Sequence, residues 1–81
     1  MPKVKFMLWL KDKTGVSEEF ISAGSLTELV NTLSSKYRVL DELYRRGELI
    51  VLVNGVSVNP ATPVSLKDED EVVLLPPVSG G

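Results

Sequence analysis

The chain has 81 residues, a formal net charge of −2, and 43% apolar and 25% charged residues. This allows one modest core and excludes intrinsic disorder, fibrous repeats and the clustered basic surface of a nucleic-acid binder. Cysteine and histidine are absent, which rules out disulfides, thiolate nucleophiles, imidazole bases and the commonest zinc ligands.

No segment approaches the roughly 20 apolar residues of a membrane helix, and the start lacks a signal-peptide stretch, so a cytoplasmic location is expected. Lys3 to Lys11 alternates in the manner of a strand, with Val4, Phe6, Leu8 and Leu10 on one face and Lys3, Lys5, Met7, Trp9 and Lys11 on the other. Thr14-Gly15 predicts a turn. Val16 to Ser22 predicts a returning strand that points Phe20 into the core and completes a hairpin.

From Ser25 the period changes to about 3.6, and Leu26, Leu29, Val30, Leu33 and Tyr37 fall on one stripe of an amphipathic helix. Ser25 and Glu28 form a capping box: the serine oxygen accepts from the Glu28 N–H and the glutamate reaches back to the serine N–H. Such a cap stabilises the helix by about 1 kcal/mol. A shorter helix is expected over Leu40 to Arg46, with Asp41 and Glu42 early, Arg45 and Arg46 late as the helix dipole favours, and Gly47 as its stop.

Leu49 to Val53 predicts a strand that ends in Asn54-Gly55, the dipeptide suited to a type I′ hairpin, with Val56 to Val58 returning antiparallel. Asn59 to Pro63 is a loop stiffened by two prolines. Lys67-Asp68-Glu69-Asp70 is a charged turn before the last strand, Glu71 to Leu75. This order predicts an α+β fold: a β-grasp, ubiquitin-like mixed sheet of about five strands covered on one face by one main helix. Residues 1–75 form the domain and 76–81 an extended, flexible tail.

The uncovered sheet face gives Met7 and Trp9 significance. With Val73 and Leu75 they are expected to form an apolar partner-binding patch beside the root of the tail. The acidic run Asp68 to Glu71 lacks the ligand spacing of a calcium loop and reads as a solvated turn, so no metal site is expected. Arg38, Arg45 and Arg46 together could contact an acidic partner, but the helix end explains Arg45 and Arg46. Tyr37 and Tyr44 read as packing residues.

The last third, VLVNGVSVNPATPVSLKDEDEVVLLPPVSGG, resembles the MoaD/ThiS sulfur-carrier family, most of all its branch of molybdopterin synthase small subunits. The resemblance rests on Val53-Asn54-Gly55, on Leu66-Lys67-Asp68-Glu69-Asp70-Glu71-Val72, and on Leu75-Pro76-Pro77-Val78-Ser79-Gly80-Gly81. Thiamine-pathway carriers are similar in size and in ending Gly-Gly, but the Pro-Pro-Val-Ser-Gly-Gly form favours the molybdopterin branch. The rest of the chain agrees in element order and length. Glu69 departs from the pattern, since the family usually has glycine there; a positive φ would strain a non-glycine residue by roughly 1 kcal/mol.

The resemblance implies that the reactive group is the α-carboxylate of Gly81. A ubiquitin-activating-type adenylating enzyme would activate it with ATP and magnesium, and a thiocarboxylate would form. The sulfur would pass to a pterin precursor held by the large subunit of molybdopterin synthase, within a heterotetramer, on the way to a molybdenum or tungsten cofactor. The chain itself would be a non-catalytic subunit with no permanent cofactor, the sulfur being covalent on Gly81. Gly80, Ser79, Val78, Pro77 and Pro76 would enter the partner: glycines thread a narrow channel, and prolines keep the segment extended, so less entropy is lost on docking. Neither nucleic acid nor membrane is an implied partner. The same activation also fits a ubiquitin-like modifier, in which a target lysine attacks Gly81, and a thiamine-pathway-type carrier remains an alternative.

Overall fold

Strands with one apolar face and a helix with one apolar stripe can bury those surfaces only against each other, and that pairing organises this protein. The computed structural model describes residues 1–77. The elements run β1 (Lys3–Phe6), α1 (Leu10–Thr14), β2 (Glu18–Phe20), α2 (Leu26–Lys36), α3 (Arg38–Arg45), β3 (Ile50–Val53), β4 (Val56–Val58) and β5 (Glu71–Leu75). The five strands make one mixed sheet in the order β2-β1-β5-β3-β4, with β5 parallel to β1 and antiparallel to β3. Val4, Phe6, Val51, Val72 and Leu74 from the sheet join Leu26, Leu29, Val30 and Leu33 of α2 and Leu40 and Leu43 of α3 in one buried cluster. This is the predicted β-grasp.

The long first strand does not form. The chain leaves the sheet after Phe6 because Leu8 takes a left-handed φ of 55°, a conformation that costs a bulky L-residue roughly 1 kcal/mol or more. Leu8, expected inward, is 56% exposed, while Leu10 still reaches the core from the first turn of α1. Thr14-Gly15 is accordingly a helix end: Gly15 has φ 81° and its N–H donates to the Lys11 carbonyl.

The second strand is shorter than expected, and Phe20 faces the other way. β1 and β2 pair Lys3 with Phe20 and Val4 with Glu19. Because Val4 is a core residue, Phe20 shares the outer face with Lys3, whose ammonium lies 5.7 Å from its ring. Phe20 is 57% exposed, and Ile21 takes the buried place.

Glu19 points to the helical side, where it meets Lys36 and the Tyr37 hydroxyl, which donates to it at 2.6 Å. The hydrogen bond from Lys36, then that from Tyr37, holds its carboxyl below the ordinary value of 4.5. A depressed carboxylate pKa adds stability that is present above the unfolded value and lost as pH falls through the folded one. Glu19→Gln is therefore expected to flatten the decline of the urea midpoint below about pH 5 and to leave the remaining acid sensitivity to the other carboxylates. An acid limb identical to that of the parent chain would refute this role. The Tyr37 ring also packs edge-on against Phe6 at 5.7 Å, which confirms it as a packing residue.

The helices keep their predicted caps with small shifts. Ser25 Oγ accepts from the Glu28 N–H at 3.2 Å, but Glu28 reaches back to the Gly24 N–H rather than to that of Ser25. α3 begins earlier than predicted, at Arg38, ends at Arg45, and is closed off by Gly47 (φ 71°), where the Gly47 and Glu48 N–H groups donate to the Tyr44 and Leu43 carbonyls. Those two bonds are a Schellman closure. The loop after β4 is pinned to the start of α2 by Leu26 N–H to Val64 carbonyl (2.7 Å) and Leu66 N–H to Gly24 carbonyl (3.0 Å).

Candidate functional site

The site is built on β5, the central strand, because the chain end leaves from it. Burial alternates along β5 with Val72 and Leu74 inward. The alternation continues past the last ladder residue: Pro76 is under 2% exposed and Pro77 half-buried. Proline cannot donate to a ladder, so strand pairing stops at Leu75. Pro76, assigned to the tail from sequence, thus packs with the domain and fixes the root of the tail. Val78, Ser79, Gly80 and Gly81 lie outside the described residues.

The open face beside this root follows from strand register. Val73 lies opposite Lys5 on one side and Leu52 on the other, and Leu75 opposite Ile50. These residues share the face away from the helices because Phe6, Leu74 and Val51 between them are buried in the core. The Met7 N–H donates to the Leu74 carbonyl at 3.0 Å, which carries the parallel register one step on and sets Met7 beside Leu75. Leu52, Val73, Ile50, Leu75 and Met7 form an apolar strip that ends where the tail begins. On its β1 side the strip is bordered by charge, with Lys5 Nζ 3.6 Å from the Glu71 carboxylate.

Met7, Val73 and Leu75 are therefore brought together as expected. Trp9 is not: the turn at Leu8 carries it out of the sheet, and it lies beside Lys13 and the α3 residues Arg38, Val39, Leu43 and Arg46. Ile50 and Leu52 were missed. Their signal was present in Leu49-Ile50-Val51-Leu52-Val53, since a strand apolar at every position has apolar residues on the open side as well as in the core.

Two sequence motifs turn out to clasp each other at the opposite end of β5. Asn54 and Gly55 have φ 50° and 83°, as a type I′ turn requires. The Asn54 amide donates to Asp70 at 3.0 Å and accepts from the Glu71 N–H at 3.0 Å, while the Lys67 N–H donates to Asp70 at 2.7 Å. The bond from Lys67, then that from Asn54, lowers the Asp70 pKa. This clasp sets where β5 starts, and the acidic turn is structural. Glu69 carries none of the strain considered for it, because Leu8 and Asn54 are the only non-glycine residues with positive φ among those described. Among the described residues no group of three or more His, Cys, Asp or Glu is arranged to hold a metal ion, and no helix is long and apolar enough to cross a membrane.

Comparison with known proteins agrees with this architecture. The model of the ThiS family matches residues 4–81. Small archaeal modifier protein 1 from Methanosarcina acetivorans superposes with a TM-score of 0.79 at 29% identity, over 98% of this chain and 94% of that one. A putative molybdopterin converting factor subunit 1 from Pyrococcus furiosus gives 0.73 at 26% identity, over 94% and 95%. Subunit 1 of the molybdopterin-converting factor of Helicobacter pylori, solved in complex with subunit 2, gives 0.67 at 34% identity, over 98% and 96%. No curated protein sequence matches significantly.

Proposed function

We propose that this chain, which belongs to the ThiS family of ubiquitin-like sulfur carriers, is the small, non-catalytic subunit of a molybdopterin synthase and carries sulfur on Gly81. The observation that carries this reading is the Pro76-Pro77-Val78-Ser79-Gly80-Gly81 terminus, whose buried Pro76 follows directly on the central strand and its apolar strip. A chain without cysteine or histidine offers its terminal carboxylate as the credible reactive centre.

That carboxylate is a poor acyl donor. In the proposed cycle an adenylating partner uses ATP and magnesium: the carboxylate attacks the α-phosphorus, pyrophosphate leaves, and an acyl-adenylate results. A sulfide-level nucleophile from a partner then attacks the acyl carbon. The C–O bond to AMP breaks as the C–S bond forms, giving the thiocarboxylate. The large subunit would receive the tail. There the thiocarboxylate sulfur attacks a carbon of the pterin precursor, whose carbon–oxygen bond breaks. Water then cleaves the acyl C–S bond, leaving the sulfur on the pterin and restoring the Gly81 carboxylate. Both partners are proposed to grip the strip Met7, Ile50, Leu52, Val73 and Leu75, which orients the tail. The 34% identity to a converting-factor subunit solved with its partner supports this assembly.

A second reading, protein modification through an isopeptide to lysine, is favoured by the likeness to small archaeal modifier protein 1. Intact-mass spectrometry of the protein from cells that hold its activating enzyme tests both. Exchange of one oxygen for sulfur at Gly81 is expected. In a parallel tryptic digest, target lysines carrying residues 68–81 of this chain through an isopeptide, without that exchange, would replace the carrier reading by the modifier one.

A further inference from the structure

We infer that the groove between Trp9 and α3 is a second docking surface, one that takes an acidic peptide segment of a partner protein. One wall is Trp9, which caps the start of α1, and Lys13 within it; the other is Arg38 and Glu42 of α3 with Arg46 just past its end, and Val39 and Leu43 supply the apolar lining. Trp9, the sole tryptophan, is 41% exposed.

Arg38 is the more telling residue. It occupies the first position of α3, the helix end at which the dipole disfavours a cation. Among the described residues neither Arg38 nor Lys13 forms an ion pair, and Arg46 reaches Glu48 only at 4.0 Å. Glu42 is the one acid in the lining and pairs with neither arginine. A cation held where its own helix disfavours it, unpaired and beside an exposed indole, is complementary to a carboxylate next to an apolar side chain, and arginine and tryptophan are the residues that anchor interfaces. A nucleic acid fits less well, since Glu42 stands between the arginines and the chain is net negative.

The groove also has a meaningful position. β1 and β5 are parallel, so α1 follows the same end of the sheet from which Pro76 and Pro77 leave. A partner that holds the tail meets the apolar strip on one side of the sheet and this groove on the other. The inference rests on the groove alone and stands whether or not Gly81 carries sulfur.

Trp9 emission reads the groove directly. Titrating the full chain with a synthetic peptide of alternating glutamate and leucine is expected to give a saturable shift with half-saturation below about 1 mM, weakening as salt rises past about 0.1 M. The same peptide with glutamine for glutamate is expected to give none. Arg38→Glu, which suits the helix start, should weaken peptide binding by about tenfold without lowering the unfolding midpoint. An equal response to the glutamine peptide, unchanged affinity in Arg38→Glu, or tighter binding of a short oligothymidylate overturns the proposal. So does Trp9 emission that moves with protein concentration alone, which assigns the groove to a second copy, or on deletion of residues 78–81, which assigns it to the chain's own terminus.

Discussion

A chain shortened by Gly81 is expected to lose thiocarboxylate formation and cofactor synthesis entirely while unfolding at the same temperature as the full chain. The shortened chain still ends in a glycine carboxylate, now on Gly80, so the chemistry of the group is unchanged and only its reach differs. An extended residue spans about 3.3–3.6 Å, and displacing a reacting atom by about 1 Å already costs on the order of 100-fold in rate. Because Pro76 is packed into the domain, the docked body fixes where the tail starts, and the shortfall cannot be recovered by sliding. Stability is untouched because the buried cluster lies entirely within residues 4–74. Retained sulfur loading in the shortened chain, read by intact mass, would refute the central reading.

The second large effect is expected at the middle of the open face. Val73 sits between Lys5 and Leu52 on the central strand. Val73→Glu adds a carboxylate beside Lys5, which compensates it in the free domain, so the unfolding free energy should change by less than about 1 kcal/mol. In the proposed docked complex that carboxylate would be buried against an apolar partner surface. The loss should reach about 2 kcal/mol, or roughly 30-fold in affinity for the adenylating enzyme and the large subunit. Val56→Glu, at the exposed end of edge strand β4, is the matched control and should bind normally. Titration calorimetry of both variants decides the matter: parent-like affinity in Val73→Glu would remove the strip from the docking surface.

Most of the fold was legible because the residues that specify it act locally. The Ser25 cap, the Leu26-Leu29-Val30-Leu33 stripe, the Gly47 stop, the Asn54-Gly55 turn and the alternation of β5 each depend on neighbours within a few positions, and each is in place. The errors cluster in residues 7–20, where the sequence supports two periods at once. Lys-Val-Lys-Phe-Met-Leu-Trp-Leu alternates well enough to pass for one long strand, yet Leu10 enters the core from a helix, and only the rest of the fold decides between them. Phe20 failed for a related reason. Apolarity argued for burial, but its register against Lys3 put it on the open face and sent Glu19 inward to Lys36 and Tyr37.

The candidate site divides in the same way. Sequence alone supplied the segment on which the proposed chemistry rests: two glycines behind two prolines, in a chain with neither cysteine nor histidine. It determined the order of the elements from α2 onward too, because capping, turn formation and periodicity are short-range; α1, between the first two strands, it did not. What surrounds the tail was decided only by tertiary structure. Parallel pairing of β1 with β5 and antiparallel pairing of β3 with β5 gather Met7, Ile50, Leu52, Val73 and Leu75 on the open face beside the end of β5, while the left-handed turn at Leu8 moves Trp9 to the other side, against α3. Strand register and the hand of a single turn are fixed by contacts between segments far apart in the chain, and a shift of one position reverses the face on which every side chain lies.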